Sequence, residues 1–461
     1  MIDNQDTIAA VSTPQGRGAL GIVRMSGPKA ISIARRIFSP KGKKDVLSIS
    51  SFTLNYGWVK TNGSVIDEAL LSVMRAPKTY TREDIVEISL HGGMVSLQKV
   101  LELCIRNGAR LAEPGEFTKR AFMNGRIDLA QAEAVCDIVN ARSQCSHRAA
   151  VQQLVGHLSN RIGRIRDDMA EILAELETAV DFPEEGIQFD SREEILRKVG
   201  HIRGECEAIL ATFETGRIYK EGLTVVIAGR PNVGKSSLIN AMLRENRAIV
   251  TEIPGTTRDI ISEEVEIKGL KVNLMDTAGI GEAKDKIDAI GIQKTMDSIE
   301  SSDLVLIVVD LSEGISDDDK QIVTCIRDKK SIIIANKKDL PHKVREEEIG
   351  NALGKDIPII KTSALLGEGI EEIEDLIYRM FIQEGISEKE SPVITNLRHK
   401  EALQNLREAL LKAERATKHG MSEEFIACDI RDALRHIGEI TGQTTTEGIL
   451  DIIFSKFCIG K

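Results

Sequence analysis

The sequence predicts a multidomain protein of mixed α/β and α class, and three observations lead there. Its 461 residues amount to two to four domains at roughly 100–200 residues each. Short, largely apolar runs (Leu223–Ala228, Val272–Met275, Leu304–Val309, Ser331–Ala335) alternate with helical or polar stretches, the pattern of a doubly wound, mostly parallel sheet covered on both faces. Two stretches without proline flank that region, Gly115–Phe182 and the chain after Pro392. Both carry apolar residues three and four apart, so an α/β domain is inserted into a helical one.

Composition narrows the class. Charged residues are 29% and hydrophobic ones 42%, which suits a globular chain with buried cores. The 61 Lys+Arg and 71 Asp+Glu give a formal net charge of −10, which argues against a protein that coats nucleic acid electrostatically. Aromatics are only 3%, with one Trp, which argues against a many-ringed base-stacking platform. Residues 1–122 carry 17 Lys+Arg against 11 Asp+Glu, a net of +6, and the remainder carries −16. That is compatible with an anionic ligand at the N-terminal end, and equally with ordinary surface variation. The seven scattered cysteines contain no CxxC pair and read as neither a disulfide framework nor a zinc site. The start lacks the basic and apolar regions of a signal peptide. No apolar run approaches the roughly 20 residues of a membrane span. A cytoplasmic protein is expected.

In chain order, Met1–Pro114 mixes Pro and Gly with β-branched runs at Ala19–Val23, Ser51–Trp58, Ala69–Val73 and Asp84–Leu90, an α+β or mainly β domain ending near residue 122. Residues 123–220 form the first part of the helical domain. Leu129, Ala132, Val135, Cys136 and later Met169, Ile172, Leu173, Leu176 mark its apolar stripes, Asp181–Asp190 a polar break, and Arg192–Phe213 a further helix. Residues 221–381 are the inserted α/β domain, with Gly369–Met380 as its last helix. Residues 382–461 complete the helical domain.

The chemistry begins at Gly229. The octet Gly-Arg-Pro-Asn-Val-Gly-Lys-Ser, ending at Ser236, matches G-x-x-x-x-G-K-[ST] between a strand and a helix. Backbone N–H groups of such a loop, here Asn232, Val233, Gly234 and on to Ser237, cradle phosphates. Lys235 suits the β- and γ-phosphates and Ser236 a magnesium ion. Asp276-Thr277-Ala278-Gly279 follows a strand 40 residues later. There Asp276 can hold magnesium through water, and the Gly279 N–H can sense the γ-phosphate. In Asn336-Lys337-Lys338-Asp339, the Asp339 carboxylate can accept both N1–H and N2–H of guanine, a donor pair adenine lacks. The Ala364 N–H, in Ser363-Ala364-Leu365, can donate to guanine O6. In this order and spacing the four motifs resemble the GTPase branch of P-loop proteins, with GTP and magnesium as ligands.

Two details refine that class. Ile280 stands where Ras-like GTPases carry a water-orienting Gln, so another group must position water and neutralise charge. Thr251-Glu252-Ile253-Pro254-Gly255-Thr256-Thr257 lies where the first switch belongs, with Thr257 as a magnesium ligand. Asn232, Thr251, Ile253 and Thr256 could cage potassium, a pattern similar to the potassium-activated GTPases that fire on G-domain dimerisation. Asn232 also reads simply as a turn-former after Pro231.

The whole chain resembles the MnmE (TrmE) family of tRNA modification GTPases. The segments that carry this are Thr7–Pro14, Gly21–Gly27, Tyr80–Gly93, Pro114–Phe117, Asn124–Glu133 and the terminal Cys458-Ile-Gly-Lys461. The resemblance implies an N-terminal α+β folate-binding domain that makes a homodimer, a helical domain and an inserted P-loop GTPase domain. It also implies a flavin- and NADH-dependent partner, MnmG (GidA), in a heterotetramer. Together the two would add an aminomethyl-type or carboxymethylaminomethyl group to C5 of the wobble uridine of certain tRNAs. The one-carbon unit would come from 5,10-methylene-tetrahydrofolate, with 5-formyl-tetrahydrofolate as an analogue. By the same resemblance Arg24, Glu87, Arg126 and Lys461 match folate-contacting positions, although by themselves they read as surface charges. Cys458 is either an inert terminal thiol or, beside Lys461, a nucleophile or one-carbon relay. Asp288 takes the place of a family Glu that orients the attacking water, one methylene shorter. His91 reads as a turn histidine. A ribosome-assembly GTPase is the competing reading, against which the terminal Cys458–Lys461 and the folate-type segments speak. No lipid anchor or basic amphipathic helix supports membrane remodelling.

Overall fold

A computed structural model of the chain describes residues 6–14, 16–42, 45–182, 190–245, 262–276, 298–326, 329–382 and 393–461. The chain forms two compact units. One comprises Met1–Val139, Gln153–Cys206 and Glu401–Lys461, the other Asn140–Gln152 and Glu207–Lys400.

The first unit holds a seven-stranded sheet of β1 (Ile8–Val11), β2 (Gly18–Ser26), β3 (Phe38–Pro40), β4 (Thr53–Thr61), β5 (Ser64–Met74), β6 (Ile85–Gly92) and β7 (Arg110–Leu111). Its order is β3-β4-β5-β6-β2-β1-β7, antiparallel except for β1 beside β7. Asn62-Gly63 closes the β4–β5 hairpin with both residues at positive φ (47° and 83°), the two-residue turn this dipeptide favours. Along β2 and β6 side chains alternate. Val23, Met25, Val86, Ile88 and Leu90 enter a core with helices Ala30–Ile37 and Met94–Arg106. Arg24 and Glu87, paired in register, therefore point to the opposite face. The helical part buries stripes at helical spacing. Leu158, Ile162, Ile165, Met169, Ile172 and Leu176 of helix His157–Asp181 meet Ile426, Ile430, Ala433 and Ile437 of helix Glu423–Thr441.

The second unit is the expected doubly wound domain. Its strands are β8 (Leu223–Ala228), β9 (Ser262–Ile267), β10 (Leu270–Asp276), β11 (Leu304–Asp310), β12 (Ser331–Asn336) and β13 (Ile359–Lys361). Their order is β13-β12-β11-β8-β10-β9, with β9 alone antiparallel. Helices Lys235–Glu245 and Ile370–Phe381 cover one face, and Asp317–Cys325 and Glu346–Leu353 the other. After β8 the chain builds β9 and β10 on one side, then crosses to β11 on the other. A doubly wound sheet opens its ligand crevice where the order reverses in this way, here at the carboxyl end of β8.

The four apolar runs are β8, β10, β11 and β12. The two edge strands were not legible as apolar runs. β9 reads Ser-Glu-Glu-Val-Glu-Ile, the charged composition of a protected edge, and β13 has three residues. The helix expected over Arg192–Phe213 is Arg192–Leu210, and a further helix, Phe213–Glu221, follows it. Among the described residues no helix is long and apolar enough to cross a membrane.

Candidate functional site

The phosphate loop joins β8 to helix Lys235–Glu245 and depends on residues that lack or tolerate special backbone geometry. A Cβ on Gly229 would lie 2.6 Å from the Val308 carbonyl of β11, so only glycine lets the loop leave the sheet there. Asn232 (φ 65°) and Gly234 (φ 102°) are left-handed, the alternation that turns successive backbone N–H groups toward an anion. Lys235 is 6% exposed. Its ammonium donates to the Gly229 and Arg230 carbonyls, both at 2.8 Å. Burial pushes its pKa below the ordinary lysine value, and the charge of Asp276 draws it part of the way back. The Ser236 hydroxyl donates to Asp276 Oδ2 at 3.3 Å, so a hydroxyl and a carboxylate, both hard oxygen ligands, stand together. That donor set fits magnesium. Ser236 and Ser237 are exposed and Val233 is buried.

The base-side loop follows β12. Asn336 is 2% exposed. Its Nδ2 donates to the Val233 carbonyl (2.8 Å), and its Oδ1 accepts from the Ala364 N–H (3.0 Å) and the Thr362 hydroxyl (3.3 Å). Expected among the nucleotide contacts, Asn336 turns both ends of its amide to protein and ties the phosphate loop to the Ser363–Leu365 loop. Ala364 donates its N–H to that amide, so it can reach a base oxygen only as a shared donor. Lys337 is left-handed (φ 63°). Asp339 is exposed at the end of the motif. Ser363 is fully buried, and Leu365 is 79% exposed. Thr251 through Thr257, Thr277 through Ile280, and Asp288 lie outside the described residues.

A second constellation lies in the first unit, where the terminal segment meets the sheet. Ile459 bridges to Pro114. The Gly115 N–H donates to the Cys458 carbonyl (3.4 Å) and the Phe117 N–H to the Lys461 carbonyl (3.1 Å). Gly460 (φ 95°) sits so close to β1 that a Cβ would be 2.5 Å from the Val11 carbonyl. Its own carbonyl accepts from Arg24 Nη1 at 3.3 Å. Arg24 pairs with Glu87 at 2.8 Å and lies 5.6 Å from the Phe117 ring centroid. Phe117 shares a small core with Tyr80, and the Arg126 guanidinium lies 4.6 Å from the Tyr80 ring centroid. Arg24, Glu87 and the Cys458–Lys461 terminus are thus brought together, and Arg126 is linked to them through Phe117 and Tyr80. A cavity of about 410 Å³ opens beside Arg126, lined also by Phe52, Lys78, Tyr80 and Arg82. Cys458 is exposed. His91 is exposed and paired with Asp67 at 2.8 Å, which raises its pKa.

Sequence reasoning missed Phe117 and Tyr80 as the aromatic supports of two arginines. Both stand in the segments that carry the family resemblance, where aromatic rings are scarce enough to be a signal.

The model of the MnmE helical domain matches residues 129–458, and that of the GTP-binding protein TrmE N-terminus matches residues 7–126. The tRNA modification GTPase MnmE of Acetivibrio thermocellus is 48% identical over 459 residues, 99% of each chain. That of Carboxydothermus hydrogenoformans is 46% identical over 460 residues, 99% of this chain and 100% of its own. That of Clostridioides difficile is 45% identical over 456 residues, 99% of each. Matches of that identity across the full length, on a fold with this phosphate loop and this docked terminus, mean that the chain belongs to the MnmE (TrmE) family.

Proposed function

We propose that this chain is a GTP-hydrolysing tRNA modification enzyme. One observation carries the nucleotide part. β8, β10, β12 and β13 are parallel, so their carboxyl ends lie at one edge of the sheet, and the four motifs follow those ends. Lys235 and Ser236 then serve the phosphates and magnesium with Asp276. Asp339 selects guanine, and Thr257 completes the magnesium shell. Asn232, Thr251, Ile253 and Thr256 hold potassium, and Asp288 orients water once two G domains meet. The tRNA part rests on the family, whose relatives above are named tRNA modification GTPases.

In this reading residues 1–122 are the folate-binding and dimerising domain, 123–220 and 382–461 the helical domain, and 221–381 the G domain. Arg24, Glu87, Arg126 and Lys461 hold a tetrahydrofolate through its carboxylates and pterin edge, and Cys458 stands beside it. The folate supplies one carbon. A flavoprotein partner of the MnmG type supplies the redox step, and the product is a wobble uridine substituted at C5.

Two measurements test this. Hydrolysis of GTP by the purified chain should be faster in potassium than in sodium, and equal rates remove the cation cage. Mass analysis of tRNA from a deletion strain should show wobble uridines without the C5 group. Unchanged uridines with a ribosome-assembly defect would favour the competing class instead.

A further inference from the structure

The segment from the end of β11 to the first turn of helix Asp317–Cys325 is tied to both nucleotide loops by buried charge. Asp310, the last residue of β11, is 1% exposed. Its carboxylate accepts from the Ser312 N–H (2.8 Å), the Ser312 hydroxyl (2.7 Å) and the Lys337 ammonium (2.5 Å). Burial alone would raise this carboxyl; the Lys337 charge and the Ser312 donors outweigh it and hold it below the usual range. In the first turn of helix Asp317–Cys325, Asp319, also 1% exposed, pairs with Arg230 Nε at 3.1 Å. Arg230 is the second residue of the phosphate loop, and it also donates to the Gly314 carbonyl at 3.1 Å.

We infer that Asp310 is a positioning residue for guanine recognition: acting through Lys337, it sets the turn that presents Asp339 to the base. The inference rests on the reading of this crevice as a GTP site. Asp339 lies two residues beyond Lys337. On the near side of Lys337, Asn336 is already pinned to Val233 and Ala364. Lys337 itself holds a left-handed backbone that an L residue adopts only at a cost. Pairing its ammonium to a buried carboxylate gives the long side chain one geometry. Released, it regains rotamer freedom and the turn loses its outer support. Arg230 and Asp319 act likewise on the phosphate side, so the end of β11 and the first turn of the helix that follows it brace the base and phosphate halves of the site.

The test is equilibrium binding of GDP, and of IDP (which lacks the 2-amino group), to the full-length chain and to Asp310→Asn, Lys337→Met and the double variant. Asp310→Asn should weaken GDP by about ten- to a hundredfold, the effect of losing a charge-assisted bond. It should also lower the GDP-to-IDP affinity ratio, which a merely structural loss would not move. The double variant should bind no more weakly than Lys337→Met, because Asp310 acts through that residue. Additive losses with an unaltered ratio overturn the inference. If Asp310→Asn does not fold, a wild-type ratio in Lys337→Met overturns it alone. A wild-type chain with no preference for GDP over ADP would sink the GTP reading itself.

Discussion

Asn336 shows how one side chain acquires a role its motif does not state. The sequence places it in a guanine-type loop, and its amide in fact joins Val233 and Ala364, residues far apart in the chain. Asn336→Ala would leave the Val233 carbonyl and the Ala364 N–H buried without partners. The cost is about 1–3 kcal/mol of stability per orphaned group, read by denaturant unfolding. Nucleotide affinity should fall with it, since both loops lose their common tie. A variant with wild-type stability and wild-type GDP affinity would contradict this. The strand–loop–helix setting of Lys235 was legible from its motif. The contacts of its ammonium were not, because its two carbonyl acceptors depend on how the loop closes.

Among the elements, the strands were legible where they are apolar on both faces or alternate strictly. β8, β11 and β12 announce themselves as continuous runs. β9 and β13 did not, because edge strands carry charge or are very short. The terminal segment is the sharpest case. Nothing in its composition says that Cys458–Lys461 lies against β1 and the turn at Pro114. Gly460→Ala should displace it, since the left-handed backbone and the 2.5 Å approach to Val11 both exclude a Cβ. The expected result is loss of 5-formyl-tetrahydrofolate binding by fluorescence titration, with GTP hydrolysis retained. Unchanged folate affinity would mean that the seat of the terminus is not part of that site.

For the molecule, a buried network in the first unit should make stability depend on acid. Arg120 is 1% exposed and pairs with Asp6, Glu83 and Glu116. Burial would raise the Asp6 and Glu116 carboxyls, but the Arg120 and Arg110 guanidiniums outweigh it and hold both below their ordinary values. A carboxyl depressed on folding contributes stability that is present above its unfolded pKa and lost as pH falls through the folded one. The melting temperature should therefore be flat above about pH 5 and fall below about pH 4. Arg120→Met should cost about 3–5 kcal/mol of stability at pH 7, because Asp6, Glu83 and Glu116 lose a buried guanidinium while Arg110 still pairs with Asp6 and Glu116, and it should flatten the acid limb. An acid limb unchanged in Arg120→Met would refute this. The sequence by itself determined the doubly wound sheet and the order and spacing of the four nucleotide motifs. Those are written in local periodicity and in spacing along strands whose ends must share one edge. Only the tertiary structure decided that Asn336 braces two loops, that Asp310 holds Lys337, that Gly460 seats the terminus beside Arg24, and that Arg120 gathers three carboxylates. Each of these joins segments distant in sequence, and local pattern carries no information about which distant backbone will stand within hydrogen-bond reach.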